Sequence, residues 1–149
     1  MSKCNGFTLM ELMIGLVVLA ILVGIAIPSY KGMVANQRVR ATTTDLHSAL
    51  VLARSEAIKR NRQVTLSPAA TGGWGGGWSI IPSGGAAILS QVLTGGVAIS
   101  GPAAAIAFKA SGRVGAEAKF EVSSTSDAAK LSCLTLGVDG RVSSAKGGC

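Results

Sequence analysis

Aromatic residues are scarce in this chain, with three Phe, two Trp and one Tyr among 149 residues. So few bulky rings are expected inside, since a core needs its large side chains, and Trp74 and Trp78 are therefore expected to be buried. Histidine is scarcer still. The single one, His47, has Asp45 two positions away on a helical pattern, where the two side chains do not share a face. That leaves no paired general base. No serine sits in a Gly-x-Ser-x-Gly elbow, and no cysteines are spaced Cys-x-x-Cys, so nucleophilic, redox and zinc chemistry have no constellation to work with. The segment Gly72, Gly73, Trp74, Gly75, Gly76, Gly77, Trp78 carries no Lys-Ser or Lys-Thr pair to make a phosphate cradle, and it reads as a loop leading into a strand. No internal repeat is visible. The chain is not expected to be an enzyme, and no cofactor or metal is called for.

An ordinary secretory signal is missing as well. Residues 1–6 (MSKCNG) are too short and too polar for one, and the small residue, Gly6, comes before the apolar run instead of after it. That run, 7–27, is long enough at about 1.5 Å per residue to cross roughly 30 Å of hydrocarbon. A transmembrane helix is the expectation. Beyond Pro28 a second helical pattern continues, with Val39, Leu46, Leu50, Ala53 and Ala57 on one face. Proline withholds one N–H from the preceding turn, so a bend at Pro28 is expected within one helix that continues to about Asn61. At roughly 80 Å such a helix is longer than a domain of this size needs, and part of it must protrude.

Acids are few: seven against fourteen basic residues, for a formal charge of +7. Seven of the basic residues lie in 28–62 with only Asp45 and Glu56, a local charge of +5. Such a segment suits anionic lipid headgroups, nucleic acid or an acidic neighbouring subunit, and is equally compatible with a solvated helix face. Glu11 is the one charge inside the apolar run. A carboxylate there costs a few kcal/mol unless a partner meets it, or unless it snorkels to the interface.

After Arg62 the pattern changes to short β-prone runs separated by glycine: 64–66, 78–81, 88–93, 97–99, 106–109, 119–122 and 131–138. Antiparallel strands packed on the apolar face of the helix give an α+β domain over 63–149. Of three cysteines, Cys4 lies in the leader and Cys133 and Cys149 lie near the C-terminus; an even pair in the domain suggests an oxidising compartment. A bond between them closes a loop of about 16 residues, worth roughly 3 kcal/mol in the chain-entropy account. The alternative is two free thiols.

The run Gly6, Phe7, Thr8, Leu9, Met10, Glu11, followed by the apolar stretch and Pro28, resembles the leader signal of type IV pilins and pseudopilins. Downstream, Ala53 to Asn61, then Val64, Thr65, Leu66, then Gly77, Trp78, resemble the GspH/FimT subfamily of minor pilins and H-type pseudopilins. The pieces Ile106, Ala107, Phe108 with Gly112, Arg113, and then Gly140, Arg141, fit the same pattern.

That resemblance implies the type IV pilin fold, a long N-terminal helix packed against an antiparallel β-sheet domain. It implies a leader, 1–6, removed by a prepilin peptidase between Gly6 and Phe7, and N-methylation of Phe7. The helix would then have a membrane and filament-core part, 7–27, and an amphipathic continuation, 28–62. Glu11 would meet the positive amino-terminus of a neighbouring subunit during assembly. The partners implied are other pilins or pseudopilins, the peptidase and the inner membrane, with the C-terminal domain periplasmic. Lys3 on one flank against Lys31, Arg38 and Arg40 on the other would suggest the opposite orientation, so this topology rests on the resemblance and the cysteine pair. The function implied is a minor pilin that helps initiate or cap a pilus serving adhesion, twitching motility or DNA uptake. The alternative is the H-type pseudopilin of a type II secretion system. Members of the family bind DNA through a Gly-Arg-any-Arg motif, which makes Arg141, with Arg113 and Lys146, candidate DNA contacts of a tip subunit; here the fourth motif position is Ser143.

Overall fold

The computed structural model describes residues 8–149, with the side chains of 26–29 outside that description. The leading element is one helix, α1 (Leu9–Arg60), and eight strands follow it. Two units make up the chain, one ending at Val34 and the other running from Ala35 to Cys149. The cleavage and methylation positions, Gly6 and Phe7, lie outside the described residues. The backbone of α1 is helical through Pro28, and the bend expected there falls on residues outside the described side chains.

In the second unit, the face of α1 expected from its spacing is the buried one. Val39 is 2 % exposed, and Leu46, Leu50, Ala53 and Ala57 are fully buried. Two of the five are alanines, and all five belong to the core shared with the strands. The helix stops where Asn61 takes a left-handed conformation, φ 48°. The Asn61 N–H then donates to the Ile58 carbonyl at 3.1 Å and the Arg62 N–H to the Ala57 carbonyl at 3.2 Å, the paired bonds of a Schellman cap. Asparagine tolerates this conformation better than most residues other than glycine, and the helix accordingly ends two residues before the expected 62.

The strands are β1 (Val64–Ala69), β2 (Gly73–Pro82), β3 (Leu89–Val92), β4 (Val97–Ser100), β5 (Ile106–Phe108), β6 (Ala118–Ser124), β7 (Leu131–Leu136) and β8 (Val142–Lys146). They form two antiparallel four-stranded sheets in the orders β3-β2-β1-β5 and β4-β6-β7-β8. Each expected run is a strand. Along β6 the alternation is strict, with Ala118, Phe120, Val122 and Ser124 inward and the residues between them outward. Phe120 and Val122 join Leu134 and Leu136 of β7, Val64 and Leu66 of β1, and the α1 stripe in one core. Each large apolar side chain in it contributes on the order of 1.5–3 kcal/mol by leaving water.

Two strands differ from expectation. The glycine segment is not a loop: β2 begins at Gly73 and includes the rest of it. The ladder to β1 pairs Pro68 with Trp78 and Ala69 with Gly73, so residues 74–77 are accommodated as an irregularity on the β2 side. Glycine is needed there for proximity, because a Cβ on Gly77 would collide with the Gln91 carbonyl of β3. The second difference is β8, which is polar and exposed along nearly all its length and so shows no alternation to reveal it.

Two turns with one hydrogen-bond pattern lie side by side in this unit. In one, the Gly112 N–H donates to Lys109 and the Lys109 N–H to Arg113, at 2.8 and 2.9 Å. In the other, the Gly140 N–H donates to Gly137 and the Gly137 N–H to Arg141, at the same two distances. Gly140 is left-handed, φ 77°, and a Cβ there would run into the Gly112 carbonyl oxygen. Gly140→Ala is therefore expected to cost more than ~2 kcal/mol, strain plus collision, whereas Gly73→Ala should lose only about 1 kcal/mol. Gly73, at φ 56°, has open space where its Cβ would stand. Denaturant unfolding followed by circular dichroism checks this; equal losses in the two variants would refute the steric account.

Candidate functional site

From Leu9 to Ile25 α1 carries apolar side chains on every face, and among the described residues none of them is buried. From Leu9 to Ile25 the large side chains stand 46–77 % exposed. Burial inside a soluble core normally claims a helix of this kind, and by length and composition this one is suited to cross a membrane.

Glu11 occupies the third position of the helix. Its N–H donates to the Thr8 hydroxyl at 3.2 Å, and its carboxylate accepts the Thr8 N–H at 3.5 Å, the reciprocal arrangement of a capping box. Two amides that begin a helix without intrahelical partners are satisfied in this way, and the negative charge lies at the positive end of the helix dipole. Thr8 was not singled out from the sequence, although a threonine three residues before a glutamate is a readable cap signature.

The three candidate nucleic-acid contacts do not form one cluster. Arg113 and Arg141 each follow the glycine of one of the paired turns and are exposed on neighbouring loops. Arg141 is steadied by Asp139 at 3.2 Å. Lys146 is at the far end of β8, opposite Ser132, about 16 Å along the strand from Arg141. The two residues are close in sequence, and the extended strand between them sets them apart. Beneath the turns lies Arg54 of α1, which belongs both to the basic segment 28–62 and to the run Ala53 to Asn61. It is half-buried, and its Nε has no hydrogen-bond partner among the described residues.

Both tryptophans are buried, as expected, at 5 % and 2 % exposure for Trp74 and Trp78. The Trp74 indole N–H donates to the Pro102 carbonyl at 2.8 Å, and its ring meets Phe120 edge-on with centroids 4.8 Å apart. Neither ring is available to stack on a base. His47 is half-buried, and among the described residues no group of three His, Cys, Asp or Glu side chains is placed to hold a metal. On α1, Glu56 bonds Arg60 at 2.6 Å, and that hydrogen bond holds its carboxyl below the ordinary glutamate range. The stabilising effect is present above the ordinary glutamate pKa and is lost as pH falls through the lowered value.

Cys133 and Cys149 are joined in a disulfide, their Cα atoms 5.1 Å apart. Glu121 adds a second tie, accepting the Cys149 N–H at 3.0 Å.

A family model described as "Type II transport protein GspH" matches residues 42–140, from the second half of α1 through the second glycine turn. The chain belongs to the GspH family. A model of the prokaryotic N-terminal methylation motif matches residues 1–27 of this GspH-family chain. Among solved structures, the fold resembles the type IV minor pilin FimU of Pseudomonas aeruginosa, with a TM-score of 0.63 at 20 % identity, covering 72 % of this chain and 87 % of that one. A second crystal form of FimU gives 0.62 at 21 % identity over 71 % and 91 %. The minor pseudopilin EpsH of the Vibrio cholerae Type 2 Secretion System gives 0.60 at 12 % identity over 72 % and 96 %. At these identities the likeness is one of fold. No curated protein sequence matches. As a GspH-family chain with an apolar N-terminal helix, it is a pilin-like subunit suited to membrane anchoring and assembly with other pilins or pseudopilins.

The disulfide gives this site a direct check. Cys149→Ser, or reduction of the unaltered protein, is expected to lower stability by about 3 kcal/mol. Urea unfolding with and without reductant measures it, and a midpoint indifferent to both changes would contradict the role assigned to the bond.

Proposed function

We propose that this chain is a minor type IV pilin, a structural subunit and not a catalyst, that helps initiate or cap a pilus serving adhesion, twitching motility or DNA uptake. The observation that carries this reading is the uncovered apolar helix with a single carboxylate, Glu11, in its first turn. On this reading residues 1–6 are removed by a prepilin peptidase after Gly6, Phe7 is N-methylated, and the helix holds the subunit in the inner membrane with its domain in the periplasm. The disulfide supports an oxidising compartment for the domain. Leaving lipid for a filament exchanges one apolar surrounding for another. Glu11 then gains where a neighbouring positive amino-terminus offsets its charge.

A second reading, the H-type pseudopilin of a type II secretion system, is favoured by the description of the matching family. Both readings use the same helix and the same carboxylate. For a DNA-binding tip the domain offers two neighbouring arginines but no stacking ring, because Trp74 and Trp78 are inside.

Processing is tested by Gly6→Val, which should leave residues 1–6 attached in membranes analysed by mass spectrometry; an unaltered mature mass beginning at methylated Phe7 would refute it. Glu11 is tested by a pair of variants. Glutamine can replace glutamate in a capping box but carries no charge. If the charge serves assembly, Glu11→Gln and Glu11→Ala should both reach the membrane at normal levels and both be depleted from sheared filaments. Filaments that incorporate Glu11→Gln normally but exclude Glu11→Ala would assign the residue to helix capping instead.

A further inference from the structure

We propose that the paired Gly-Arg turns form a docking surface for an acidic subunit of the same filament, different from this chain. The proposal rests on the filament reading above and adds the place and chemistry of one contact.

The turns put Lys109, Arg113 and Arg141 on neighbouring loops over the half-buried Arg54, with Asp139 the one acid among them. The backbones of the two turns touch at Gly112 and Gly140, so the cations are carried on a fixed platform instead of on separate loops. A charged surface held rigid loses little entropy when a partner arrives. Among the described residues Arg54, Lys109 and Arg113 have no carboxylate within ion-pair distance, and Arg141, although paired with Asp139, keeps 84 % of its side chain in solvent.

The bookkeeping of acids says what kind of partner fits. Of the seven acids, Glu56, Glu117, Asp127 and Asp139 are already paired with lysines or arginines of this chain. Glu121 is engaged by the Cys149 N–H, and Glu11 lies in the apolar helix. In the second unit Asp45 alone is exposed with no ion pair among the described residues, so a second copy offers no cluster of carboxylates free of its own cations. Copies that each carry an excess of cations also repel. A complementary surface must therefore come from a different protein that has carboxylates to spare. Nucleic acid is the weaker candidate, since Asp139 opposes phosphate within the patch and no aromatic platform lies beside it.

The test uses the full-length chain in its own host, with a photo-crosslinking residue at exposed Ser111 in the first turn and, as reference, at Val17 in the apolar helix. Ser111 is expected to capture a pilin-like subunit with an acidic domain. Arg113→Glu with Arg141→Glu should cut that adduct about tenfold, and Arg113→Lys with Arg141→Lys should keep it. Val17 adducts should be unchanged throughout, which shows that the variants still fold and insert. A Ser111 adduct to DNA or to a second copy, one indifferent to charge reversal, or none at all while Val17 adducts persist, overturns the docking proposal alone. Loss of both adducts from the unaltered chain overturns the filament reading and this contact with it.

Discussion

The domain depends on one buried stripe of α1. Neither four-stranded sheet has a second layer of its own, and a sheet with one apolar face must cover it. Val64 and Leu66 from one sheet, and Phe120, Val122, Leu134 and Leu136 from the other, share a single core with Leu46, Leu50, Ala53 and Ala57. The helix is thus the common partner of both sheets in the core. Strands distant in sequence share one core with a single local element.

This dependence also explains how much of the structure could be read in advance. Val39, Leu46, Leu50, Ala53 and Ala57 recur at helical spacing, and β6 alternates residue by residue, because in each case one face is buried and the other wet. Where burial does not alternate, the signal disappears. β8 has almost every residue exposed, and its place in the sheet is set by pairing with β7, which no local pattern encodes. Gly73 to Gly77 looked like a loop because glycine usually marks one; here it records how closely the backbones of β2 and β3 approach. The division of the strands into two sheets was likewise invisible, since it is a property of long-range pairing.

The candidate site divides along the same line. Glu11 was legible because an isolated charge in an apolar run stands out in any reading of composition, and Thr8 was within reach as its capping partner. Arg113 and Arg141 were legible only as residues. Their adjacency comes from two turns that abut at glycines 28 positions apart in sequence, with Arg54 supplied from α1. Lys146, five residues from Arg141 in the chain, is removed from them because an extended strand gains more than 3 Å with each residue. The grouping of these arginines is therefore set by tertiary contact, whereas the larger excess of cations in 28–62 is a matter of sequence alone.

The distribution of rings has an optical consequence. Trp74 and Trp78 are the only tryptophans, both are buried, and Trp74 lies against Phe120 across the boundary between the sheets. Indole emission from such surroundings is shifted to the blue, and it moves to the red when water enters. The first unit contributes no tryptophan, only Tyr30. Excitation at the red edge of the absorption band therefore reports on the sheet domain alone, even while the apolar helix sits in detergent or lipid. Opening of the seam between the sheets can be followed by colour in a sample where the anchor never leaves its solvent.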